Sequence, residues 1–245
     1  MAQMKNVCKK EGCLLMNNYF HIHTYRCGHT DGSMDEDYIK RVMTLGGKTI
    51  WFTDHAPFPD NPFGNRMSYE DLDEYITSLQ YLKNKYKDKI DVKIGLEIEY
   101  FPSYEDYYKE LKAMGVFDCL LLGQHMYEIN NNQYSFSLPK DILQAEECYG
   151  LANAIKQGLR SGYFDVVAHP DRIFRRVEEW NTQMDELSKE IIDVCIENGI
   201  AIEDNLVSKK ENKYYNNFWS NVPFTVNTII GYDAHSLKDI EICDR

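Results

Sequence analysis

The chain has 245 residues, 43% hydrophobic and 27% charged, which is typical of a globular protein with one large core. Its 39 acidic residues outnumber its 27 basic residues, so the net charge is -12 and the average surface repels polyanions. No run of Lys or Arg supplies the basic face that proteins of duplex DNA usually carry, although a local pocket for one small phosphate remains compatible with this balance.

The first residues give no sign of a signal peptide or an anchor. The apolar patch at 13–16 is too short for the hydrophobic region of a signal peptide, and no later stretch approaches a membrane span. We interpret residues 1–15 as an N-terminal leader, ordered or disordered, with Met16 as an alternative start and a single domain over residues 16–245. The seven cysteines are odd in number and form no CxxC motif, which predicts reduced thiols in a cytoplasmic protein.

Short apolar runs alternate with longer amphipathic stretches along the rest of the chain. The runs predict seven strands, at 19–23, 49–53, 92–99, 118–124, 164–168, 200–205 and 225–231. The stretches predict helices near 34–46, 69–88, 104–114, 139–161, 183–198 and 209–220, with a last one after Ser236. Seven strand–helix repeats imply an α/β fold with a parallel sheet and outer helices. A closed barrel and a doubly wound open sheet share this alternation, but no GxGxxG follows the first strand to favour the nucleotide-binding sheet.

Histidines recur where the predicted strands end. His21 and His23 lie two residues apart on the first strand, so their side chains share a face, although chance alone could produce one such pair. The other candidates also lie late on a strand or just after one: His29, His55, Glu97, His125, His169, Asp233 and His235. In a parallel barrel these positions lie at the C-terminal rim, where active sites form.

A rim with this many imidazoles and carboxylates would satisfy its polar groups poorly without a further partner. A divalent cation supplies that partner, because nitrogen and oxygen donors suit zinc, iron or manganese. The sequence therefore predicts a cluster of two or three metal ions.

Six motifs occur in the same order along the chain: HIHT at 21–24, TDH at 53–55, GLE at 95–97, GQH at 123–125, AHPD at 168–171 and DAH at 233–235. Together they resemble the polymerase and histidinol phosphatase (PHP) family from about residue 18 to residue 240. The segments HTYRCGH at 23–29 and TDHAP at 53–57 look closest to its histidinol-phosphatase-like branch. The resemblance implies a distorted seven-stranded (β/α) barrel, similar to a TIM barrel.

The resemblance also implies three metal positions, which together use all seven histidines of the chain. The implied ligand sets are His21, His23, Glu97 and Asp233 for the first, Glu97, His125 and His169 for the second, and His29, His55 and His235 for the third. Glu97 would bridge the first two positions. Glu99, two residues further on, competes with it for that role.

The implied reaction is hydrolysis of a small phosphomonoester by a metal-activated hydroxide, with the cations neutralising charge on the phosphoryl oxygens. No GxSxG elbow or Walker loop offers another mechanism, and no catalytic group is identified beyond the ligands. Asp54 is either the acid that protonates the leaving group or a partner that orients a histidine. Arg172, Arg175 and Lys210 are candidates to bind the substrate phosphate, although RIFRR at 172–176 could equally begin a solvated helix.

L-histidinol phosphate, a compound of histidine biosynthesis, is the first substrate that the resemblance suggests. The chain departs from that branch at LVSKK, 206–210, where Gly-Leu-Arg is expected, and at 214–219, which replaces a proline-containing stretch. The aromatic residues of 214–219 either cap a pocket or bury a helix face. The alternatives are a phosphoesterase for other sugar, nucleotide or amino-acid phosphates or nucleic-acid ends, and a non-catalytic metal-binding module. The sequence leaves metal identity and oligomeric state open.

Overall fold

The computed structural model describes residues 7–10, 13–130 and 133–241. Its strands are β1 (Val7–Lys10), β2 (Cys13–Met16), β3 (Asn18–Ile22), β4 (Thr49–His55), β5 (Asp91–Ile98), β6 (Cys119–Leu122), β7 (Glu128–Asn130), β8 (Gln133–Tyr134), β9 (Val166–Val167), β10 (Ala201–Asn205) and β11 (Thr228–Ala234). Its α-helices are α1 (Asp35–Thr44), α2 (Leu72–Tyr86), α3 (Glu105–Ala113), α4 (Lys140–Ser161), α5 (Thr182–Asn198), α6 (Leu206–Lys210) and α7 (Asn216–Trp219).

Seven of these strands close into a barrel in the order β10-β11-β3-β4-β5-β6-β9. The pairings of β3 with β4, β6 with β9, and β9 with β10 are parallel. Each barrel strand lies beside the one that precedes it in the chain, and β11 pairs with β3 to complete the ring. The predicted seven-stranded (β/α) barrel is confirmed, and the open sheet is excluded.

Helix α5 illustrates how the sequence sets these elements. Asn181 caps its first turn by accepting hydrogen bonds from two backbone N–H groups, and Gly199, with φ of 66°, ends it in the left-handed conformation that favours glycine. Leu187, Ile191 and Val194 recur at helical spacing and are buried. Burial of each such side chain contributes about 1.5–3 kcal/mol, which fixes the face that α5 turns inward.

Three predicted elements differ most from the structure. The last strand is β11, which begins three residues later than predicted and continues to Ala234, with a register shift between Gly231 and Ala234. The helix predicted at 209–220 is wrong: α6 ends at Lys210 and α7 begins at Asn216. Asn212 interrupts the helical path with a positive φ of 56°. The helix predicted after Ser236 is a short 3-10 turn over Asp239–Glu241.

The described chain divides into two compact units. The first unit runs to Leu96 and resumes at Gly231, and the second unit is Glu97–Ile230. Of the predicted leader, residues 1–6 and 11–12 lie outside the described residues, while β1 and β2 pair antiparallel. The boundary at residue 16 stays a prediction. Among the residues described, no helix is both long and apolar enough to cross a membrane.

Candidate metal centre

The barrel strands and the loops that follow them carry all seven histidines. His21 lies in β3, and His55 is the last residue of β4. The others follow a barrel strand: His23, His29, His125, His169 and His235. We call His21, His23, His29, His55, Asp233 and His235, all of the first unit, the first cluster. Glu97, Glu99, His125 and His169, all of the second unit, form the second cluster.

His23 is the hub of the first cluster. Its ring is fully buried and stacks on that of His235, with centroids 4.2 Å apart and planes 19° apart. The ring of His55 lies 4.3 Å away and that of His21 4.9 Å away. Ligand atoms of His23, His55 and His235 all lie within 4.8 Å of one another, which is close enough for one ion to bind all three.

One carboxylate oxygen faces three of these rings. Asp233 Oδ1 lies 3.3 Å from His23 Nε2, 3.7 Å from His21 Nε2 and 3.6 Å from His235 Nδ1. Ligand atoms of His21, His23 and Asp233 also lie within 4.8 Å of one another. The structure therefore brings three residues of the first predicted ligand set together within the first unit.

Backbone carbonyls orient the two outer rings. His29 Nδ1 lies 2.9 Å from the carbonyl oxygen of Cys27, and His235 Nδ1 lies 3.0 Å from that of Asp233. Because a carbonyl only accepts, Nδ1 is the donor in each ring, and the lone pair of the neutral imidazole lies on Nε2. His29 is exposed, with its ring 4.6 Å from that of His235 and 5.2 Å from that of His55.

Burial keeps the hub of the first cluster neutral. It lowers the pKa of His23 well below the ordinary value, and positive charge on His235 or His55 would lower that pKa further. The hydrogen bond to Asp233 acts in the opposite direction and is outweighed. Neutral imidazole is the form that binds a metal ion, so His23 needs no deprotonation near neutral pH.

The second cluster pairs imidazoles with carboxylates. Glu97 Oε1 lies 3.0 Å from His169 Nε2 and 3.6 Å from His125 Nε2. Glu99 Oε1 lies 3.0 Å from His125 Nδ1, so this glutamate contacts the opposite side of the same ring. Burial lowers the pKa of His125, but the charge of Glu97 and the hydrogen bond to Glu99 outweigh it, and the pKa is raised.

Gly123 makes room for the carboxylate of the second cluster. A Cβ at this position would overlap Glu97 Oε1, far inside the contact distance of non-bonded heavy atoms. Glu97 is itself buried, so its carboxylate could give way only by leaving its place beside the histidines. The GQH motif thus contributes a glycine with a steric role, which the sequence reasoning did not assign.

Three members of the clusters have left-handed backbones. The φ angles are 69° for His21, 51° for Asp233 and 28° for His169. Residues other than glycine adopt such angles only when their surroundings impose them, at a cost of about 1–3 kcal/mol each. Strained residues of this kind concentrate at functional sites, and here they coincide with predicted ligands.

The sequence reasoning also missed a carboxylate beneath the second cluster. Glu203, fully buried on β10, accepts a hydrogen bond from the backbone N–H of His169 at 2.9 Å and another from Asn205 at 3.1 Å. It anchors the strained backbone of His169 to the neighbouring strand. The sequence feature that could have identified Glu203 is its position within a predicted strand, because a buried carboxylate requires specific partners.

Asp54 lies beside the first cluster and has no access to solvent. Its Oδ1 is 3.7 Å from His23 Nδ1 and accepts the backbone N–H of Thr24 at 2.6 Å, while its Oδ2 accepts the Thr24 hydroxyl. Burial raises the pKa of Asp54 to about 7 against the opposing effect of the Thr24 hydrogen bonds. Of its two predicted roles, this placement favours the partner that orients a histidine.

The three predicted substrate-binding residues lie in different environments. Arg172 donates from Nε to the hydroxyl of Ser208 at 3.0 Å, and Lys210 is exposed at the end of α6. Arg175 donates to both oxygens of the buried Glu147 at 3.0 and 2.8 Å, and to the backbone carbonyl of His125 at 2.9 Å. Arg175 therefore contacts the second cluster indirectly, through the backbone carbonyl of His125.

The segment that departs from the family pattern is tied to the loop of His169. Asp171 is fully buried, and its Oδ2 accepts the backbone N–H of Tyr215 at 3.0 Å and the indole N–H of Trp219 at 3.1 Å. Burial raises the pKa of Asp171 to about 6. Phe218 is buried, whereas Trp219 is half-buried and stacks on Tyr214 with planes 2° apart. Within this segment, Phe218 thus packs into the interior, while Tyr214 and Trp219 are partly exposed.

The donors of both clusters suit divalent cations. In the first cluster, imidazole nitrogens and a carboxylate oxygen lie close enough together for one ion to bind three of them. In the second, Glu97 Oε1 lies 3.0 Å from His169 Nε2 and 3.6 Å from His125 Nε2. Imidazole and carboxylate together accept zinc, iron or manganese. Divalent metal binding is therefore the chemistry for which these residues are arranged.

Comparison with known proteins agrees with this chemistry. The family model described as PHP domain matches residues 20–205. A Deinococcus radiodurans protein named "Probable histidinol-phosphatase" is 33% identical over 161 residues, which cover 62% of this chain and 59% of that protein. The "Histidinol-phosphatase" of Bacillus subtilis is 24% identical over 212 residues, covering 76% of this chain and 78% of that protein.

A solved structure shares the fold. It is histidinol phosphate phosphatase (HISK) from Lactococcus lactis, complexed with zinc, L-histidinol and phosphate. The TM-score is 0.68 at 20% sequence identity, over 91% of this chain and 88% of that one. The same barrel thus occurs in a protein whose structure contains zinc, L-histidinol and phosphate.

Proposed function

Because the match covers most of its length, the chain belongs to the PHP domain family, and we propose that it is a metal-dependent phosphatase of small phosphomonoesters. L-histidinol phosphate is the first substrate of choice, since two relatives named histidinol-phosphatase match 62% and 76% of the chain. The observation that carries the proposal is the placement of all seven histidines at or after barrel strand ends, in two clusters that also contain Glu97 and Asp233.

We propose two or three divalent ions per chain, with zinc, iron and manganese as the candidates. The ligand residues are those of the two clusters, and the bridging role predicted for Glu97 stays a prediction. When bound, such ions neutralise charge on the phosphoryl oxygens and lower the pKa of water, which suits hydrolysis without a protein nucleophile.

The protein's own residues have separate tasks in this proposal. Asp54 orients His23, and Glu203 holds the backbone of His169. Arg172 is the best placed of the predicted arginines to meet the substrate phosphate. Its side chain is half-buried near His125, it donates a hydrogen bond from Nε to the hydroxyl of Ser208, and its charge lowers the pKa of that histidine. Arg175 acts indirectly, through Glu147 and the carbonyl of His125.

Phosphate esters other than histidinol phosphate remain the second candidate class, and one feature of the structure favours testing them. The segment 206–219, where the sequence departs from the histidinol-phosphatase pattern, contacts the loop of His169 through Asp171. A different leaving group would be recognised by this kind of departure. Long nucleic acids are disfavoured by the net charge of -12.

A hydrolysis screen with protein of measured metal content tests the proposal. The panel contains L-histidinol phosphate, sugar phosphates, nucleotides, amino-acid phosphates, a phosphodiester and single-stranded DNA. We expect turnover of small monoesters and weak or absent cleavage of DNA. Efficient degradation of DNA with negligible monoester turnover would overturn the substrate class and leave the metal clusters in place. Metal-loaded protein inactive on the whole panel would instead favour a non-catalytic metal-binding module.

A further inference from the structure

Arg26 is a buried cation that the proposed reaction does not use. It lies in the 3-10 turn Tyr25–Cys27 after His23, and its side chain is 3% exposed. Its guanidinium donates to both oxygens of Asp35 at 2.8 and 3.0 Å and to both oxygens of Glu74 at 2.7 and 3.2 Å. Such paired contacts with two carboxylates hold the guanidinium in one orientation.

The two carboxylates belong to different helices. Asp35 is the first residue of α1 and is nearly buried, and Glu74 lies in the first turn of α2. Ser78, one turn further along α2, donates its hydroxyl to Asp35 at 3.0 Å. Arg26 therefore joins the loop after β3 to helices α1 and α2.

A fifth hydrogen bond of the Arg26 guanidinium determines to which partner the Thr24 hydroxyl donates. Nη1 also lies 3.0 Å from the hydroxyl oxygen of Thr24. A guanidinium can only donate, so the Thr24 oxygen accepts from it and the single hydroxyl proton is available to Asp54 Oδ2. The backbone N–H of Thr24 donates to the other oxygen, Oδ1, at 2.6 Å. Thr24 therefore donates to both oxygens of Asp54, and its contact with Arg26 directs its hydroxyl proton toward Asp54.

Asp54 in turn contacts His23, the hub of the first cluster. Its Oδ1 lies 3.7 Å from His23 Nδ1, and the opposite nitrogen, Nε2, lies 3.3 Å from Asp233. A carboxylate beside one ring nitrogen fixes the orientation of a histidine and raises the basicity of the nitrogen that binds metal. Arg26, Thr24 and Asp54 form a continuous series of contacts that ends at this ring.

We infer that Arg26 is a positioning residue for the first cluster: through the hydroxyl of Thr24 it holds Asp54 against His23 and so strengthens the binding of a divalent cation there. The inference rests on the proposed metal binding and adds the residues that tune it. Neither the comparisons nor the motifs assign a role to Arg26 or to the hydroxyl of Thr24.

Two substitutions of Thr24 separate this role from a merely structural one. Thr24→Val removes the hydroxyl that joins Arg26 to Asp54, while Arg26 keeps its contacts with Asp35 and Glu74. Thr24→Ser restores the hydroxyl. Ser78→Ala is the matched control, because it removes a hydrogen bond to Asp35 in the same network without touching Thr24. Arg26→Lys keeps the charge but cannot make the paired contacts.

The measurement is the affinity of the chelator-stripped full chain for Zn²⁺ alone, by competition with a chromophoric chelator, with thermal unfolding as a check on folding. We expect Thr24→Val and Arg26→Lys to weaken one class of zinc sites by about tenfold or more, as disruption of ligand-orienting partners does. Thr24→Ser and Ser78→Ala are expected to stay within about twofold of the parent, because neither breaks the link between Arg26 and Asp54.

The outcomes separate this inference from the proposed function. If Thr24→Val binds zinc as the parent does, or if all four variants lose affinity equally, the positioning role is wrong and the metal proposal stands. If Thr24→Val does not fold, Arg26→Lys decides in its place: zinc affinity equal to the parent's, or a loss no larger than that of Ser78→Ala, means that the positioning role is wrong. If the unsubstituted chain takes up no zinc, both the inference and the proposed function fail.

Discussion

The two clusters use the same kinds of side chain in opposite electrostatic settings. The first gathers five histidines with Asp233, and its hub, His23, is kept neutral by burial and by neighbouring imidazoles. The second sets two histidines against Glu97 and Glu99, and the pKa of His125 is raised there. In the first cluster, His23 is therefore already deprotonated when a cation binds. The second supplies more negative charge and must release a proton from His125 more often.

The clusters also differ in how their ligands are held. Asp54 and Thr24 support His23 from a network that reaches α1 and α2. The second cluster depends on contacts between strands, with Gly123 leaving space for Glu97 and Glu203 holding the backbone of His169. Substitutions in the second cluster should therefore act through the position of a single carboxylate, and they offer the largest effects.

Replacement of Glu97 should be the most damaging change. Glu97→Gln keeps the size of the side chain but removes the negative charge that lies against His169 and His125. We expect phosphatase activity to fall by at least about a hundredfold, at the upper end of what loss of a metal-site partner causes. Glu99→Gln is the control and should do much less. If Glu99→Gln proves the more damaging, the carboxylate that holds the metal has been assigned to the wrong residue of this strand.

Gly123→Ala should reproduce part of that loss without changing any charge. The added Cβ would occupy the place of Glu97 Oε1, so the carboxylate must move away from the histidines. We expect activity and the affinity of the second cluster for metal to fall by about tenfold, the lower end of the range for misplaced ligand partners. Gly64→Ala, where a Cβ meets nothing within 4 Å, should leave both unchanged. Unchanged metal affinity and activity in Gly123→Ala would show that Glu97 has no required position.

Arg175→Ala should have a smaller effect, transmitted through the backbone of His125. The substitution removes the hydrogen bond to that carbonyl and one cation from the buried Glu147. We expect kcat/KM to fall about fivefold, equivalent to about 1 kcal/mol for one hydrogen bond, with metal content unchanged. Arg176→Ala removes the other cation of Glu147 but leaves His125 alone, so steady-state kinetics should remain near the parent's. Equal losses in the two variants would assign the effect to Glu147.

The smallest effect is the difference in protonation between the clusters. In the metal-free chain, NMR titration should place the pKa of His23 below the ordinary value of 6.5 and that of His125 above it. The contribution of His23 to the free energy of unfolding is then present above pH 6.5 and is lost as the pH falls through its folded pKa. That of His125 is present below pH 6.5 and is lost as the pH rises through its folded pKa. Identical pKa values would remove the electrostatic contrast between the clusters.

Much of the fold was predictable because strand and helix periodicities differ and most barrel strands contain a short buried apolar run. The errors occurred where backbone conformation departed from regular geometry. Asp233 seemed to follow the last strand because it is polar, yet β11 continues through it with a register shift and a positive φ. The tract 209–220 carries helical spacing, but Asn212 adopts the left-handed conformation and splits it. Hydrophobic patterns do not encode such local reversals.

The nine candidate ligands could be identified because each lies late on a strand or in the loop after one, so nine weak signals agreed. The supporting residues could not be, since their roles depend on partners distant in sequence. Arg26 meets Glu74 across 48 residues, and Glu203 meets His169 across 34. Charge alone suggested Arg175 as a phosphate ligand, and that role stays a prediction; spacing could not reveal that its guanidinium also contacts Glu147. Spacing reveals which residues share an edge, but the partner of each charged group is decided by tertiary packing.

Metal content measured by elemental analysis tests the central claim most directly. The full chain, purified without chelator, is predicted to carry two or three first-row metal ions. Removing them should abolish hydrolysis of L-histidinol phosphate and leave the barrel folded, because its core packs independently of the two clusters. A well-folded chain that carries less than one ion and takes up none on reconstitution would contradict the account.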